Sequence, residues 1–137
     1  MNQTDLTNFA TRYAAAWSSQ NPASLASFYS EDGTLTVNAG APSIGRAAIT
    51  ATARAYMTAF PDMVVKLTQM SQDDGHPVFH WLWTGTNTGP GGTGKFVRLT
   101  GYEKWTIDAR GLITESKGHY DEAEYQRQLK VGAPPIP

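Results

Sequence analysis

The stretch Ile49–Met70, ITATARAYMTAFPDMVVKLTQM, changes its hydrophobic period at Pro61. Before the proline, apolar side chains recur on one helical face, at Ile49, Ala53, Tyr56, Met57 and Phe60. Pro61 ends this helix because a proline disfavours the helical conformation at the residue before it. After the proline the apolar residues alternate with a period of about two, which is typical of strands. The stretch therefore predicts a chain whose helices come first and whose strands come second.

Two helices and one short strand are predicted on the N-terminal side of this stretch. The first helix has a cap at Thr4 or Asp5 and an apolar stripe formed by Leu6, Phe9, Tyr13, Ala16 and Trp17. Asn21-Pro22 supplies the N-cap and the first residue of a second helix, which is expected to end near Ser30. Thr34–Val37 alternates as a strand. The first third of the chain is therefore mainly helical.

Four strands and a last helix are predicted on the C-terminal side. The strand-like runs are joined by short turns and cover residues 63–70, 78–86, 95–107 and 112–120, which favours an antiparallel meander. Asp121 and Glu124 form a capping-box-like start for the last helix, and residues 131–137 form a proline-rich tail predicted to be flexible. We therefore predict one α+β domain over residues 1–130, with its helices on one face of a curved antiparallel sheet.

Length and composition exclude several classes of protein. A chain of 137 residues is one domain by size, and its net charge of −1 without a basic block argues against nucleic-acid binding. The absence of cysteine excludes disulfide frameworks, zinc thiolate sites and thiol nucleophiles. We find neither a signal peptide nor a run of apolar residues long enough to span a membrane. We therefore expect a cytoplasmic protein without a membrane partner.

The glycine-rich segment Gly89–Phe96, GPGGTGKF, is nearly a nucleotide-binding P-loop. Phe96 stands where a P-loop has the hydroxyl that binds magnesium. The residues after it alternate as a strand, whereas a P-loop is followed by a helix whose N-terminus receives the phosphates. We therefore interpret this segment as a hairpin connection and not as a nucleotide site.

Five segments follow one another in a characteristic order, and these are Phe60–Asp62, Trp83–Pro90, Thr93–Lys95, Gly111–Glu115 and Asp121–Leu129. Together these segments resemble the SnoaL-like polyketide cyclases. The resemblance extends from the first helix to Leu129. It implies a cone-shaped α+β barrel of the nuclear-transport-factor-2-like and ketosteroid-isomerase-like superfamily. It also implies a homodimer, a mostly apolar pocket and no cofactor. In these cyclases a pocket carboxylate catalyses the intramolecular aldol closure of a polyketide ring.

Asp121 matches the family's catalytic aspartate at the end of the last strand. Ring closure requires removal of a proton next to carbonyl groups and later protonation of the attacked oxygen. One carboxylate does both when an apolar pocket raises its pKa toward the working pH. The alternative is that Asp121 is only the N-cap of the last helix, in which case bonds from backbone N–H groups lower its pKa. The sequence leaves both roles open.

Two histidines are candidates for assisting this chemistry. His119 lies two residues before Asp121, so on a strand the two side chains share a face, and His119 is the second predicted catalytic residue. His80 is a predicted substrate-binding residue on the strand face opposite Trp81 and Trp83. The alternative for each histidine is a structural role, in which its imidazole only forms hydrogen bonds in the wall of the pocket. The spacing of the histidines fits no compact set of metal ligands, so no metal site is predicted.

The remaining predicted substrate-binding residues are aromatic. Tyr13 falls where ketosteroid isomerases carry their oxyanion tyrosine, and the others are Trp17, Tyr56, Phe60 and Trp105. The strand at Thr34–Asn38 lacks the carboxylate that those isomerases use as their base, which disfavours their mechanism. The expected ligand is a small apolar or polycyclic aromatic molecule, and core packing is the alternative role for each aromatic side chain.

Three classes of function remain open on this fold. The first is an acid–base enzyme, which we expect to be a cyclase acting on a β-keto ester or a related carbonyl compound; a dehydratase or an isomerase is the neighbouring possibility. The second is a non-catalytic protein that binds a small molecule. The third is an interaction domain, which would have a filled cavity.

Overall fold

The computed structural model describes residues 1–136 and contains one sheet with helices packed on it. The helices are α1 (Gln3–Ser18), α2 (Pro22–Ala26), α3 (Arg46–Ala59) and α4 (Glu122–Val131). The strands are β1 (Tyr29–Val37), β2 (Ser43–Ile44), β3 (Val64–Asp73), β4 (His76–Thr86), β5 (Phe96–Ile107) and β6 (Ile113–Tyr120). The predicted α+β class is confirmed.

The sheet has the strand order β2-β1-β6-β5-β4-β3. The meander from β3 to β6 is antiparallel, as predicted, whereas β1 pairs with β6 in parallel. The sheet is curled but not closed, because β2 and β3 form its two edges. This curl leaves the inner face of the sheet concave beneath the helices.

Two boundaries near the N-terminus differ from the prediction. The cap of α1 is Asn2, whose Oδ1 accepts a hydrogen bond from the backbone N–H of Asp5 at 2.8 Å. Helix α2 ends at Ala26 and not near Ser30, because Tyr29 already belongs to β1 and pairs with Ile113. The tyrosine is fully buried, so tertiary packing decides its conformation.

The end of the helix before Pro61 and the glycine-rich segment both have the structure that the sequence predicts. Helix α3 ends at Ala59, and Phe60 before the proline has left the helical region, with φ −128° and ψ 80°. Residues 87–95 connect β4 to β5, so the glycine-rich segment is a hairpin connection. Gly89 approaches the α3 end so closely that a Cβ there would lie 2.1 Å from the carbonyl oxygen of Thr58. Only glycine fits at this position.

The main core lies between the inner face of the sheet and the helices. Along β4 the side chains of Phe79, Trp81 and Trp83 are buried, while His80 and Leu82 lie on the outer face. Phe9 of α1 packs edge to face on Trp105, with ring centroids 5.4 Å apart. The inward positions of the central strands therefore determine what any cavity contains.

The C-terminal segment makes specific bonds to β5. Val131 ends α4, and the backbone N–H of Ala133 donates to the carbonyl oxygen of Phe96 at 2.7 Å. The Arg98 guanidinium donates to the carbonyl oxygen of Pro134. The flexibility predicted for residues 131–137 stays a prediction, and Pro137 lies outside the described residues.

Candidate functional site

A cavity lies between the inner face of the sheet and helices α1 and α3. Its wall is mainly aromatic and aliphatic and holds one carboxylate, and its side chains include Trp17, Leu35, Val37, Tyr56, Met63, Val65, Trp81, Trp83, Glu103 and Tyr120. Its interior volume is about 60 Å³, and the space free of atoms is about 520 Å³ when its open mouth is included. Ligand pockets have this composition, in which few polar groups fix the orientation of an apolar ligand.

Glu103 is the carboxylate in this wall. It occupies an inward position of β5 and is 6% exposed. Its Oε1 accepts hydrogen bonds from the hydroxyls of Tyr13 and Ser116, both at 2.7 Å, and from Trp105 Nε1 at 3.2 Å. Burial raises the pKa of Glu103, and these bonds counteract the effect only in part. No lysine or arginine among residues 1–136 pairs with it.

A second tyrosine extends the network below Glu103. The hydroxyls of Tyr13 and Tyr29 lie 2.7 Å apart, and both side chains are fully buried. Burial and then the charge of Glu103 hold the pKa of each phenol well above its usual range, so both remain protonated. Because Tyr13 donates to Glu103, Tyr29 donates to Tyr13. The network holds the carboxylate in one orientation.

A different pair of tyrosines contributes to the cavity wall from α3 and β6. The hydroxyls of Tyr56 and Tyr120 lie 3.0 Å apart. Both rings pack edge to face on Trp83, with centroids 5.7 and 5.9 Å from it. Burial raises the pKa of both phenols. The cavity therefore contains a hydroxyl pair besides the carboxylate.

Asp121 lies outside this constellation. Its Oδ1 accepts a hydrogen bond from the backbone N–H of Glu124 at 3.0 Å, which makes it the N-cap of α4. The residue is exposed and is not part of the cavity wall. The geometry thus matches the cap that was the alternative role, and the catalytic role of Asp121 stays a prediction.

The two histidines lie on the outer face of the sheet. Tyr120 is buried on the inner face, so the side chain of His119 points the other way, is exposed, and lies 5.8 Å from the ring of Tyr102. His119 is among the residues that border the cavity, although its side chain points to the outer face. His80 Nε2 is 2.8 Å from the hydroxyl of Ser71. Neither imidazole is brought together with Glu103 or Asp121.

The predicted aromatic residues divide into three groups. Trp17 and Tyr56 line the cavity. Tyr13 and Trp105 lie beneath it, where they donate to Glu103. Phe60 is fully buried in the core, with its ring centroid 5.0 Å from that of Trp83. The structure thus brings Tyr13, Trp17, Tyr56 and Trp105 to one site and leaves Phe60 outside it.

Sequence reasoning missed Glu103 and Tyr120. The signal for Glu103 was its position in the alternation of β5, whose inward side chains are otherwise Val97, Leu99 and Trp105, with Gly101 between them. A carboxylate at such a position is costly to bury without partners, which marks it as an unusual residue. Tyr120 gave no comparable signal, because tyrosine is common in strands.

Two further properties bear on the kind of site. Across residues 1–136, no group of three or more histidine, cysteine or acidic side chains is arranged to hold a metal ion. In the same part of the chain, no helix combines the length and the apolar character needed to cross a membrane.

Comparisons with known proteins are consistent with this architecture. A model of the SnoaL-like domain family matches residues 10–116, which is most of the chain. The comparison with curated proteins gives no match. Among solved structures, a candidate SnoaL-like polyketide cyclase from Jannaschia sp. CCS1 has a TM-score of 0.79 at 14% identity, over 96% of this chain and 94% of that chain.

Two other solved structures have the same fold. A protein of ketosteroid isomerase-like fold from Catenulispora acidiphila, in complex with trimethylamine, has a TM-score of 0.76 at 21% identity, over 88% of this chain and 90% of that chain. SalBIII, an epoxide hydrolase/cyclase-like enzyme with a role in pyran ring formation in salinomycin, has a TM-score of 0.76 at 14% identity, over 90% and 95%. At these identities the likeness shows the fold alone. The family match confirms the resemblance inferred from the sequence, and the chain belongs to the SnoaL-like domain family.

Proposed function

We propose that this protein is an acid–base cyclase that closes a ring in a small carbonyl compound, with Glu103 as the group that moves the proton. Membership of the family and the cyclases among its structural neighbours support a cyclase-like role. The observation that carries the proposal is the buried carboxylate in the wall of an otherwise apolar cavity. A raised pKa suits a residue that must accept a proton and then return it near neutral pH.

The proposed reaction is an intramolecular aldol addition. The Glu103 carboxylate removes a proton from the carbon next to one carbonyl group, and the resulting enolate carbon attacks a second carbonyl carbon of the same molecule. A carbon–carbon bond forms, and the alkoxide takes the proton back from the Glu103 carboxyl. The product is an isomer of the substrate, so no other reactant is consumed. The oriented network below Glu103 keeps the carboxylate in place during both transfers.

Asp121 is the competing candidate for the catalytic carboxylate. The family resemblance supports it, whereas its exposure and its bond to Glu124 favour a structural role. We therefore assign Asp121 to the start of α4 in this proposal and keep its catalytic role as the hypothesis to be excluded by experiment.

The dimensions of the cavity favour a small substrate. The volume of about 520 Å³ includes space that is open to solvent, and the interior of the cavity measures only about 60 Å³. Ligand sites for larger molecules typically measure about 300–1,000 Å³. A polycyclic aromatic β-keto ester is therefore the second choice of substrate, after small diketones and keto esters.

The experiment compares Glu103→Gln with Asp121→Asn, using 2,6-heptanedione as the substrate and nuclear magnetic resonance to follow 3-hydroxy-3-methylcyclohexanone. We expect wild type to close the ring, Glu103→Gln to lose about two to four orders of magnitude in rate, and Asp121→Asn to stay close to wild type. An anthraquinone-type β-keto ester serves as the larger substrate. The proposal fails if Asp121→Asn loses the rate while Glu103→Gln keeps it, or if wild type turns over neither compound.

A second candidate function is the binding of a small organic cation without turnover. Glu103 has no cationic partner among residues 1–136, and aromatic faces such as those of Trp17 and Trp81 attract cations. The Catenulispora relative, which is solved with trimethylamine, supports this class of ligand. Calorimetric titration with trimethylammonium chloride tests it. Saturable binding that is lost in Glu103→Gln, together with no turnover of either carbonyl substrate, would favour this function over the cyclase.

We also propose a cytoplasmic homodimer, as the family resemblance implies. The outer face of the sheet carries Tyr102, which is 38% exposed, and this face is available for a contact between copies. Sedimentation equilibrium at several concentrations tests the dimer, and a single species of 14.9 kDa would contradict it.

A further inference from the structure

The hydroxyl pair of Tyr56 and Tyr120 has two O–H donors, and only one of them is engaged in the bond within the pair. Each phenol carries one O–H, and the bond between the two oxygens at 3.0 Å uses one of them. The second proton has no acceptor among the groups of residues 1–136. Both tyrosines contribute to the cavity wall, so a ligand in the cavity can displace water and accept this proton.

Tyr13 cannot take this role, although its position in the sequence suggests it. Its O–H is already donated to Glu103 at 2.7 Å, and the side chain is fully buried below the cavity. Moving that proton to a ligand would leave the buried carboxylate with one donor fewer, which is costly. Of the tyrosines at this site, only the Tyr56–Tyr120 pair therefore has a proton to offer.

The surroundings strengthen a bond from this pair. Tyr120 is 7% exposed, and Trp83 packs against both rings, so the rings shield the hydroxyls on one side and a ligand that fills the cavity would exclude water from the other. The elevated pKa of each phenol, which burial causes, keeps both hydroxyls protonated as donors. A hydroxyl that receives a bond from its neighbour is also the better donor to a third group.

We propose that the Tyr56–Tyr120 pair binds the carbonyl oxygen of the substrate, which restricts the substrates of this cavity to compounds with an exposed ketone, aldehyde or ester oxygen. The inference rests on the proposed cyclase function. In that reaction Glu103 removes a proton from the carbon next to a carbonyl group, and the tyrosine pair binds the oxygen of that carbonyl group, which becomes negative. Donors fixed toward such an oxygen stabilise the transition state without reorganisation. The carboxylate and the hydroxyl pair then have complementary roles, one taking the proton and the other holding the oxygen.

The test reads the bond to the oxygen directly and does not depend on turnover. Acetophenone labelled with ¹³C at its carbonyl is bound to wild type, to Tyr56→Phe, to Tyr120→Phe, to the double variant and to the control Tyr125→Phe. Tyr125 packs against Tyr120 with ring centroids 5.5 Å apart but is not part of the cavity wall, so its variant removes a phenol without removing the pair. The carbonyl stretch of the bound ligand is measured by infrared difference spectroscopy.

We expect the stretch in wild type and Tyr125→Phe to lie below that of acetophenone in hexane. Each single variant keeps one hydroxyl and therefore retains a smaller shift, while the double variant gives the hexane position and binds about threefold to tenfold more weakly. A wild-type stretch at the hexane position overturns the proposal without any variant, as does the absence of saturable acetophenone binding. An unchanged shift in a folded double variant overturns it as well.

This outcome is separable from that of the proposed function. If Glu103→Gln retains turnover, the cyclase assignment of Glu103 fails, whereas the carbonyl stretch still reports on the tyrosine pair. If the carbonyl stretch of bound acetophenone is not shifted, the role proposed for the tyrosine pair is wrong. The rate loss in Glu103→Gln still tests the role of the carboxylate.

Discussion

Glu103 lies in β5 and Asp121 directly follows the neighbouring strand β6, and the settings of these two carboxylates are opposite. Glu103 is 6% exposed, and its Oε1 accepts bonds from three side chains of the core. Asp121 is exposed at the corner between β6 and α4, and it accepts one bond from a backbone N–H. The same chemical group is therefore a candidate for proton transfer in one place and a helix cap in the other. The difference comes from burial and from the kind of donor.

The two regions also differ in what they contribute to stability. Burying a carboxylate costs free energy, and at Glu103 three donors offset that cost without a cation. At Asp121 the carboxylate stays in water and the bond stabilises the first turn of α4. A substitution at Glu103 should therefore disturb the core, whereas one at Asp121 should disturb only the end of a helix.

The largest effect on stability is expected for Glu103→Leu. This change leaves the donors of Tyr13, Ser116 and Trp105 without their acceptor in the core, and each such group costs about 1–3 kcal/mol, so we expect a loss on the order of 3 kcal/mol. Glu103→Gln keeps an amide oxygen and should lose clearly less. Urea denaturation of both variants measures the difference. Equal stability of the leucine and glutamine variants would mean that the three donors find other partners.

The pH dependence of stability sharpens the comparison with a smaller effect. The pKa of Glu103 is raised above 4.5 in the folded protein, mainly by burial, so the folded state holds this proton after the unfolded chain has released it. The contribution that Glu103 makes to stability through this proton is therefore fully present below about pH 4.5 and is lost as the pH rises through the folded pKa. Glu103→Gln has no such proton, so the stability of wild type relative to this variant should fall with rising pH. A difference that grows with pH instead would indicate a lowered pKa.

The fold could be predicted from the sequence because it depends on signals that are local. The change of period at Pro61, the cap at Asn21 and the turns between strands are each readable within a few residues. The end of α2 could not be predicted in this way, since burial of Tyr29 against Tyr13 draws it into β1. Where a contact distant in sequence competes with local propensity, the contact decides the structure.

The site could be predicted only in part, because it depends on which side chains meet across strands. The sequence predicts Trp17 and Tyr56 on the apolar faces of helices, and both line the cavity. Glu103 accepts hydrogen bonds from Tyr13, which lies 90 positions before it, and from Ser116, which lies 13 positions after it. No local pattern in the sequence predicts these contacts. The capping-box pattern at Asp121, by contrast, was local, and the structure contains that cap.

A moderate effect is expected at the other carboxylate. Asp121→Ala removes the acceptor for the backbone N–H of Glu124 and should cost about 1 kcal/mol. Asp121→Asn is the matched control, because asparagine caps a helix about as well as aspartate, so it should stay within a few tenths of wild type. Thermal denaturation followed by circular dichroism measures both. If the alanine and asparagine variants were equally stable, the cap would not be what this residue contributes.

The smallest effect is expected for His119→Ala, which probes the outer face of the same strand. The imidazole is exposed and contacts the ring of Tyr102 across the sheet from the cavity, so its loss should change stability by no more than about 0.5 kcal/mol. For the same reason the rate of the proposed ring closure should stay within about threefold of wild type, since the proposal places the chemistry on the inner face. Ser116→Ala provides the inner-face counterpart on β6, because it removes a donor to Glu103 and should weaken the stabilisation of the charged carboxylate. The pH profile of the rate then separates the two: Ser116→Ala should move its acidic limb to higher pH, and His119→Ala should leave it in place. A shifted limb in His119→Ala would bring the outer face into the mechanism and remove the contrast between the two faces.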